Sequence, residues 1–298
     1  MSEPHRLVLT HGAMDGVQRL LTAHLTRGDR VAVEDPCFLT SLGLLKVDGY
    51  RGIPVAVDAE GMTVAGLRAA LELGARAVVC TPRAHNPTGA SLTIERATQL
   101  RTLLADHPSV LVIEDDHFSA ISTQPYRRIT PQGSRHWALV RSVSKFLGPD
   151  LRLALVLTTP DTASRLESRL SAASTWVSHI LQNLVIDSLT DPGTATLLER
   201  ARTAYRDRSA SLRTALKAHE IATWRSDGLN VWVPDITDPV AVAADLAELG
   251  WAVRTGENFA VTGHPPSAIR VTTSTLTPNQ ATRFAADLAA VLPSHHQQ

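Results

Sequence analysis

The sequence is poor in the features that would assign it to several common classes of protein. Its 298 residues include two cysteines, Cys37 and Cys80, which are too few for a disulfide framework and show no Cys/His metal spacing. No apolar run approaches the roughly 20 residues needed to span a membrane. The first ten residues lack the basic start and apolar core of a signal peptide. We therefore expect a cytoplasmic protein without a membrane segment or a metal site, with both cysteines, Trp176 and Trp232 in the core or lining a pocket.

An excess of charge of either sign is also missing. The chain has 29 basic and 29 acidic side chains. Its most basic stretch, residues 200–213 (RARTAYRDRSASLR), is interrupted by alanines and is typical of the solvated face of a helix. We therefore expect no direct binding of nucleic acid by this chain. The hydrophobic fraction of 44% is that of an ordinary globular protein, long enough for one large domain and a smaller one.

Short β-branched runs alternate with amphipathic helical segments in the first half of the chain. The predicted strands are Leu7–Thr10, Val31–Val33, Ile53–Val57, Ala77–Cys80, Val110–Glu114, Ala138–Ser142 and Leu153–Leu157. The predicted helices between them are Met14–Leu25, Val64–Leu73 and Ile94–Leu104. This alternation predicts an α/β fold with a mostly parallel sheet covered by helices.

The pattern changes after about Asp161. Two long helical stretches reach about Ala218, and shorter strands and helices follow. The later strands are expected at 229–234, 252–255 and 269–273, and the later helices at 239–250 and 278–292. We therefore predict a large domain over residues 1–195 and a smaller C-terminal α+β domain over residues 196–298.

The segment THGAMDG (10–16) follows the first predicted strand and opens a helix. The free backbone N–H groups and positive end of such a helix suit a phosphate, although a tight loop between strand and helix explains the glycines equally well. The sequence lacks GxGxxG, GxxxxGK(S/T) and GxSxG. These absences disfavour a dinucleotide-binding protein, a nucleoside triphosphatase and a serine hydrolase.

Polar residues also follow two later strands. In TPRAHNPTG (81–89), Asn86 either serves the turn alone or presents its amide to a ligand. In VLVIEDDHF (110–118), the period of two puts Asp115 and His117 on one side of the strand and Glu114 and Asp116 on the other. Carboxylate and imidazole groups can bind a metal, but a single aspartate facing a heteroaromatic nitrogen is an equally natural use.

The segment SVSKFLGPDLR (142–152) ends an apolar strand with a lysine between serines and an arginine seven residues later. A lysine in an apolar, partly desolvated place becomes a nucleophilic amine. Ser142, Ser144 and Arg152 offer hydroxyl and guanidinium groups to a phosphate. An amine, a phosphate site, an aspartate and an aromatic side chain are together what pyridoxal 5′-phosphate requires.

Five motifs occur in the order found in fold-type I aminotransferases of class I and II. They are EDPCF, HNPTG, EDD after a strand, SVSK with an arginine seven residues after the lysine, and IRVTT. The sequence most closely resembles the aminotransferase domain of MocR-type (GntR-family) regulators, in the PtsJ-like branch. The resemblance covers nearly the whole chain. It implies the fold of the large domain of pyridoxal-phosphate-dependent transferases.

The resemblance also implies roles for residues around the cofactor ring. Lys145 would form a Schiff base and move the proton between the substrate Cα and the cofactor C4′. Asp115 would pair with the pyridine nitrogen, Asn86 would bond the 3-oxygen, and Phe38 would stack on the ring. His117 stands where family members usually carry a tyrosine that bonds the 3-oxygen.

Further roles concern the phosphate and the substrate. By resemblance, the phosphate would be held by the backbone amides of Ala13 and Met14 and by Ser142, Ser144 and Arg152. Arg270 would clamp the α-carboxylate of the substrate, whereas a salt bridge with an acid of the small domain is the structural alternative. Met14 stands where glutamine is commoner in the family, which a backbone contact tolerates.

The implied activity is transfer of an amino group between an α-amino acid and a 2-oxo acid by a homodimer. The rival interpretation is a non-catalytic domain that senses the cofactor or its adducts for a transcriptional regulator. A third interpretation is a truncated domain that no longer binds the cofactor. Relative to the family pattern, the sequence starts just before the phosphate loop. We therefore expect it to lack both the N-terminal arm, which helps to close the active site, and the winged-helix domain.

Overall fold

The computed structural model describes residues 4–173, 176–261 and 263–292. Eight strands lie in the first 158 residues. They are β1 (Arg6–Thr10), β2 (Arg30–Asp35), β3 (Arg51–Asp58), β4 (Gly61–Met62), β5 (Ala75–Cys80), β6 (Leu111–Asp115), β7 (Trp137–Ser142) and β8 (Ala154–Thr158). These strands form one sheet in the order β1-β8-β7-β6-β5-β2-β3-β4.

Most strands of this sheet point the same way. Parallel pairs join β3, β2, β5, β6 and β7 in succession. β8 runs antiparallel to both of its neighbours, β7 and β1, and β4 runs antiparallel to β3. The predicted α/β fold with a mostly parallel sheet is confirmed.

Seven helices accompany or follow the sheet. They are α1 (Ala13–His24), α2 (Leu39–Asp48), α3 (Val64–Glu72), α4 (Ile94–Ala105), α5 (Pro160–Ala173), α6 (His179–Thr190) and α7 (Pro192–Ala218). α3 and α4 begin where a threonine side chain, Thr63 or Thr93, accepts a backbone N–H of the first turn. One apolar core joins α1 and α5 to the sheet, and another joins α3 and α4 to it.

A second, antiparallel sheet follows α7. Its strands are β9 (Asn230–Val233), β10 (Arg254–Thr255) and β11 (Ile269–Thr272), in the order β10-β11-β9. The helices α8 (Pro239–Glu248) and α9 (Pro278–Val291) and the end of α7 enclose an apolar core with it. This is the expected α+β unit. The division of the chain at residue 195 stays a prediction, and α7 runs continuously through that position.

Several details differ from the expectations drawn from the sequence. Three helices, α5, α6 and α7, stand where two long helical stretches were expected. The helix α2 and the two-residue strand β4 were not predicted, and β10 is only two residues long. Trp176 is 61% exposed, so placing it in the core or a pocket was wrong, whereas Trp232 and both cysteines are buried. None of the helices in the described ranges is both long enough and apolar enough to cross a bilayer.

Candidate active site

A cavity of about 330 Å³ opens at the carboxyl ends of β2, β5, β6 and β7. Ligands gather at this edge of a parallel sheet because the loops and helix N-termini that follow the strands meet there. Ten of the eleven residues predicted from the sequence line this cavity: Ala13, Met14, Phe38, Asn86, Asp115, His117, Ser142, Ser144, Lys145 and Arg152. The eleventh, Arg270, is not among the lining residues but bonds to Asn86.

One end of the cavity is rich in groups that attract an anion. α1 starts there, and its N-cap residue, Gly12, makes no side-chain cap, so the first N–H groups of the helix have no partner within it. Arg152 lies so close that a Cβ on Gly12 would be 2.8 Å from its Nη2 atom. Arg152 Nη1 is 3.5 Å from Ser144 Oγ, and the Ser144 N–H donates to Ser142 Oγ at 3.2 Å. Such a convergence of N–H, guanidinium and hydroxyl groups suits a phosphate.

Lys145 lies in the turn directly after β7, at the cavity wall. Its Nζ atom is 5.9 Å from the centre of the Phe118 ring. The desolvated setting expected from the sequence is not found, because the side chain leaves from a turn and is exposed. The apolar neighbours Val143, Phe146 and Leu147 instead pack beneath the turn, in a small core of their own. They hold the backbone of the turn rather than the amine.

The polar side chains at the end of β6 point to opposite sides in turn, as the alternation along a strand requires. Asp115 and His117 line the cavity, and Asp115 Oδ2 lies 3.2 Å from His117 Nδ1. Asp116 is fully buried away from the cavity and accepts two bonds from Arg83, at 2.7 and 2.9 Å. Glu114 is also buried, and burial raises the pKa of its carboxyl group. Asp115 Oδ1 is buried without a hydrogen-bond partner, so it is available to a donor in the cavity.

The described part of the chain contains no group of three or more His, Cys, Asp or Glu side chains arranged to hold a metal ion. The unpartnered Asp115 oxygen therefore fits a single N–H donor, such as a protonated ring nitrogen, better than a metal with several ligands.

Arg270 on β11 reaches across to the loop after β5. Its Nη1 donates to Asn86 Oδ1 at 3.0 Å, and Asn230 Nδ2 donates to the same oxygen at 3.4 Å. A guanidinium has only donors, so Asn86 must turn its oxygen toward Arg270 and leaves its Nδ2 donor free. The Arg270 guanidinium lies 5.0 Å from the Phe259 ring, and burial lowers its pKa to about 10. The alternative of a salt bridge is not found, because no acid of the described residues pairs with Arg270.

Seven further residues line the cavity: Val33, Glu34, Cys37, Val79, Thr81, His85 and Pro149. Of these, only Cys37 was anticipated as lining. The sequence analysis did not predict a role for the ionisable groups of Glu34 and His85. Glu34 is the first residue of the motif EDPCF, and His85 is the first residue of HNPTG. The sequence did contain a signal for Glu34, because this acid directly follows the apolar run Val31–Val33 of β2.

Comparison with known proteins agrees with this geometry. The profile described as "Aminotransferase class I and II" matches residues 2–288. The chain belongs to this family. Pyridoxal 5′-phosphate is the cofactor that membership of the family indicates.

Two relatives by sequence are regulators. The vitamin B6 salvage pathway transcriptional repressor PtsJ of Salmonella typhimurium is 49% identical over 284 residues, which are 95% of this chain and 66% of PtsJ. An uncharacterized HTH-type transcriptional regulator of Bacillus subtilis, YdfD, is 25% identical over 76% of this chain and 48% of its own length. The chain thus spans 66% of the length of PtsJ and 48% of that of YdfD.

Solved aminotransferases share the fold. Kynurenine aminotransferase of Pyrococcus horikoshii superposes with a TM-score of 0.89 at 20% identity, over 100% of this chain and 77% of that one. The α-aminoadipate aminotransferase LysN of Thermus thermophilus gives 0.84 at 22% identity, over 96% of this chain and 76% of that one. At these identities the likeness shows the fold alone.

Proposed function

We propose that the chain binds pyridoxal 5′-phosphate through Lys145 and transfers an amino group between an α-amino acid and a 2-oxo acid. The main support for this proposal is that an amine, an anion site and a carboxylate with a free oxygen line the same cavity. The separation of these groups suits the cofactor: Arg152 lies beside the start of α1, and Asp115 lines the cavity from the end of β6.

Each residue has a defined task in this proposal. When bound, the cofactor supplies an aldehyde carbon for an amine and a ring that withdraws electrons. Asp115 holds the proton of the ring nitrogen, and His117 fixes the carboxylate of Asp115 by its contact at 3.2 Å. The Nδ2 atom of Asn86 donates to the ring oxygen. Lys145 anchors the aldehyde carbon and carries the proton to and from the substrate Cα.

Arg270 would orient the amino acid. It is the one residue of the predicted site carried by the second sheet, and its Nε atom is buried without a partner. A guanidinium matches a carboxylate with two parallel bonds. Binding of the substrate carboxylate would satisfy the free donors of Arg270 and place the substrate Cα near Lys145.

We also propose that the chain acts as a homodimer. Apolar side chains on α6 and α7 are about half exposed or more: Ile180, Leu184, Ile186, Leu189 and Leu197. Exposed apolar side chains at this density on neighbouring helices support a protein–protein interface there.

The second candidate function is sensing without turnover. It is favoured by the 49% identity with PtsJ, a transcriptional repressor. The same cavity would then hold the cofactor as a signal, and no product would form.

A single-turnover experiment separates these functions. The purified protein with its cofactor is mixed with a panel of α-amino acids, absorbance is followed, and the 2-oxo acid released is quantified. We expect one equivalent of 2-oxo acid per site, and recovery of the starting spectrum after a 2-oxo acid is added. A spectrum that changes without release of a 2-oxo acid would support the sensor.

Arg270→Lys is the diagnostic variant in the same experiment. It should keep the cofactor spectrum but weaken the response to amino acids by about 10- to 150-fold, the scale of a charged hydrogen bond. A wild-type response in this variant would remove the clamp assignment.

A further inference from the structure

Two ionisable side chains of the cavity have no task in the proposed function. Glu34 is the last residue but one of β2, and His85 lies in the loop after β5. Both line the cavity, yet Glu34 is only 3% exposed and His85 only 1%. Buried ionisable groups are costly unless they are paired or neutral, so their contacts require an explanation.

The contacts of Glu34 do not balance a negative charge. Its Oε2 atom accepts the Thr81 N–H at 2.9 Å, and the Cys80 thiol lies 3.8 Å from Oε1. The nearest group that could carry positive charge is His85, with Nε2 at 3.4 Å from Oε2. No arginine or lysine of the described residues forms an ion pair with Glu34.

His85 does not supply a balancing positive charge. Its Nδ1 atom is 2.7 Å from Thr88 Oγ1, whereas Nε2 is buried and has no aligned hydrogen bond. Burial lowers the pKa of His85 to about 3. Burial raises the pKa of Glu34 to about 8, and the nearby charge of Asp115 acts in the same direction. At neutral pH, both groups are therefore uncharged, and the acid proton of Glu34 faces the unpartnered nitrogen of His85.

The other titratable groups around Glu34 do not supply a positive charge to balance it. Burial raises the pKa of Cys37 to about 12 and that of Cys80 well above its usual value, so both thiols stay neutral up to pH 9. Asp115 and His117 face the pair from the end of β6. Asp35, next along the chain, accepts the Val261 N–H. Of Glu34 and the two thiols, Glu34 is the group whose charge appears as the pH rises through about 8.

We propose that Glu34 and His85 form a neutral pair that fixes the cavity wall at the carboxyl ends of β2 and β5. The anionic cofactor then binds the form in which Glu34 holds its proton. This inference rests on the proposed cofactor site. Asp115 then supplies the single negative charge that the ring nitrogen requires. Ionised Glu34 would add a second, unbalanced charge and repel a phosphate-bearing ligand. By linkage, binding of the anion favours uptake of a proton by Glu34.

The test measures the affinity for pyridoxamine 5′-phosphate between pH 6.5 and 9.5 by tryptophan fluorescence. This probe has no aldehyde, so its binding does not depend on a covalent bond to Lys145. The variants are Glu34→Gln, which imitates the neutral acid, and Glu114→Gln, a control at another buried carboxyl, which accepts a hydrogen bond from Tyr126 and does not line the cavity.

We expect Glu34→Gln to match wild type within about threefold at pH 7. Above pH 8, wild type should lose affinity relative to Glu34→Gln by up to about tenfold per pH unit, and Glu114→Gln should follow wild type. Identical pH profiles for wild type and Glu34→Gln would overturn the proposal. So would loss of binding by folded Glu34→Gln at pH 7.

A measurement on the unaltered chain covers the case in which a variant does not fold. Calorimetric titration at pH 8.5 in two buffers of different ionisation enthalpy counts the protons taken up on binding. Net uptake is expected, and its absence would refute the linkage. Failure of the probe to bind at any pH would contradict the cofactor site itself, together with this inference.

Discussion

The two neighbouring aspartates at the end of β6, Asp115 and Asp116, have opposite environments. Asp115 faces the cavity with one oxygen free, whereas Asp116 is buried between Arg83 and Arg141, whose Nε atoms lie 2.7 and 2.9 Å from its carboxylate. A register error of one residue along β6 would exchange these roles, because side chains alternate along a strand.

Substitution of each aspartate by asparagine should therefore have a different result. Asp115→Asn should unfold like wild type in urea but bind the cofactor more weakly and lose turnover. Asp116→Asn leaves the buried charge of Arg83 unbalanced, so it should lower the free energy of unfolding by about 3 kcal/mol or more. Its cofactor spectrum should stay normal while it is folded. A normal spectrum in Asp115→Asn would contradict the assignment.

Single residues also show what the sequence could and could not predict. Residues next to each other in a motif, such as Ser142, Ser144 and Lys145, were placed in one cavity because a strand end carries them together. The bond between Asn86 and Arg270 joins residues 184 positions apart, and no local pattern contains it. The neutral state of Glu34 depends on burial from several elements at once, which the sequence does not show.

At the level of elements, the turn between β1 and α1 depends on glycine. Gly12 has φ of +92°, with ψ of 168°, a region that is essentially reserved for glycine. Arg152 occupies the space that its Cβ would need. Gly28 has nearly the same φ, +91°, but no atom lies within 4 Å of a Cβ added there.

Substitution of Gly12 or Gly28 by alanine should distinguish the effect of backbone strain from the effect of damage to the phosphate site. Both Gly12→Ala and Gly28→Ala should cost about 1–3 kcal/mol in unfolding free energy. Only Gly12→Ala should weaken cofactor binding, by tenfold or more, because it displaces the guanidinium of Arg152. Denaturation and equilibrium dialysis measure the two effects. Equal cofactor affinities in the two variants would argue against an anion site at this turn.

Elements with a clear amphipathic period or a capping residue were predicted well, as α3 and α4 show with Thr63 and Thr93 at their starts. α2 was missed because it has neither. Its N-cap, Phe38, makes no side-chain cap, and LTSLGLLKVD lacks a regular apolar face. β4 and β10, of two residues each, are defined by their pairing with β3 and β11 rather than by their own sequence.

At the scale of the whole molecule, the proposed site combines residues of the large sheet with one residue of the small sheet. The large sheet supplies Lys145, Asp115 and the anion site, and the small sheet supplies Arg270 through Asn86. The chain has only three lysines, Lys46, Lys145 and Lys217, and neither Lys46 nor Lys217 lines the cavity. Attachment of the cofactor can therefore be assigned without ambiguity.

The most direct test is borohydride reduction of the purified protein followed by mass mapping of its peptides. We expect one pyridoxyl group per chain, on the peptide that contains Lys145. Lys145→Ala should carry none, and Lys46→Ala and Lys217→Ala should be labelled like wild type. A pyridoxyl group on Lys46 or Lys217, or no label in protein shown to hold the cofactor, would contradict the central claim.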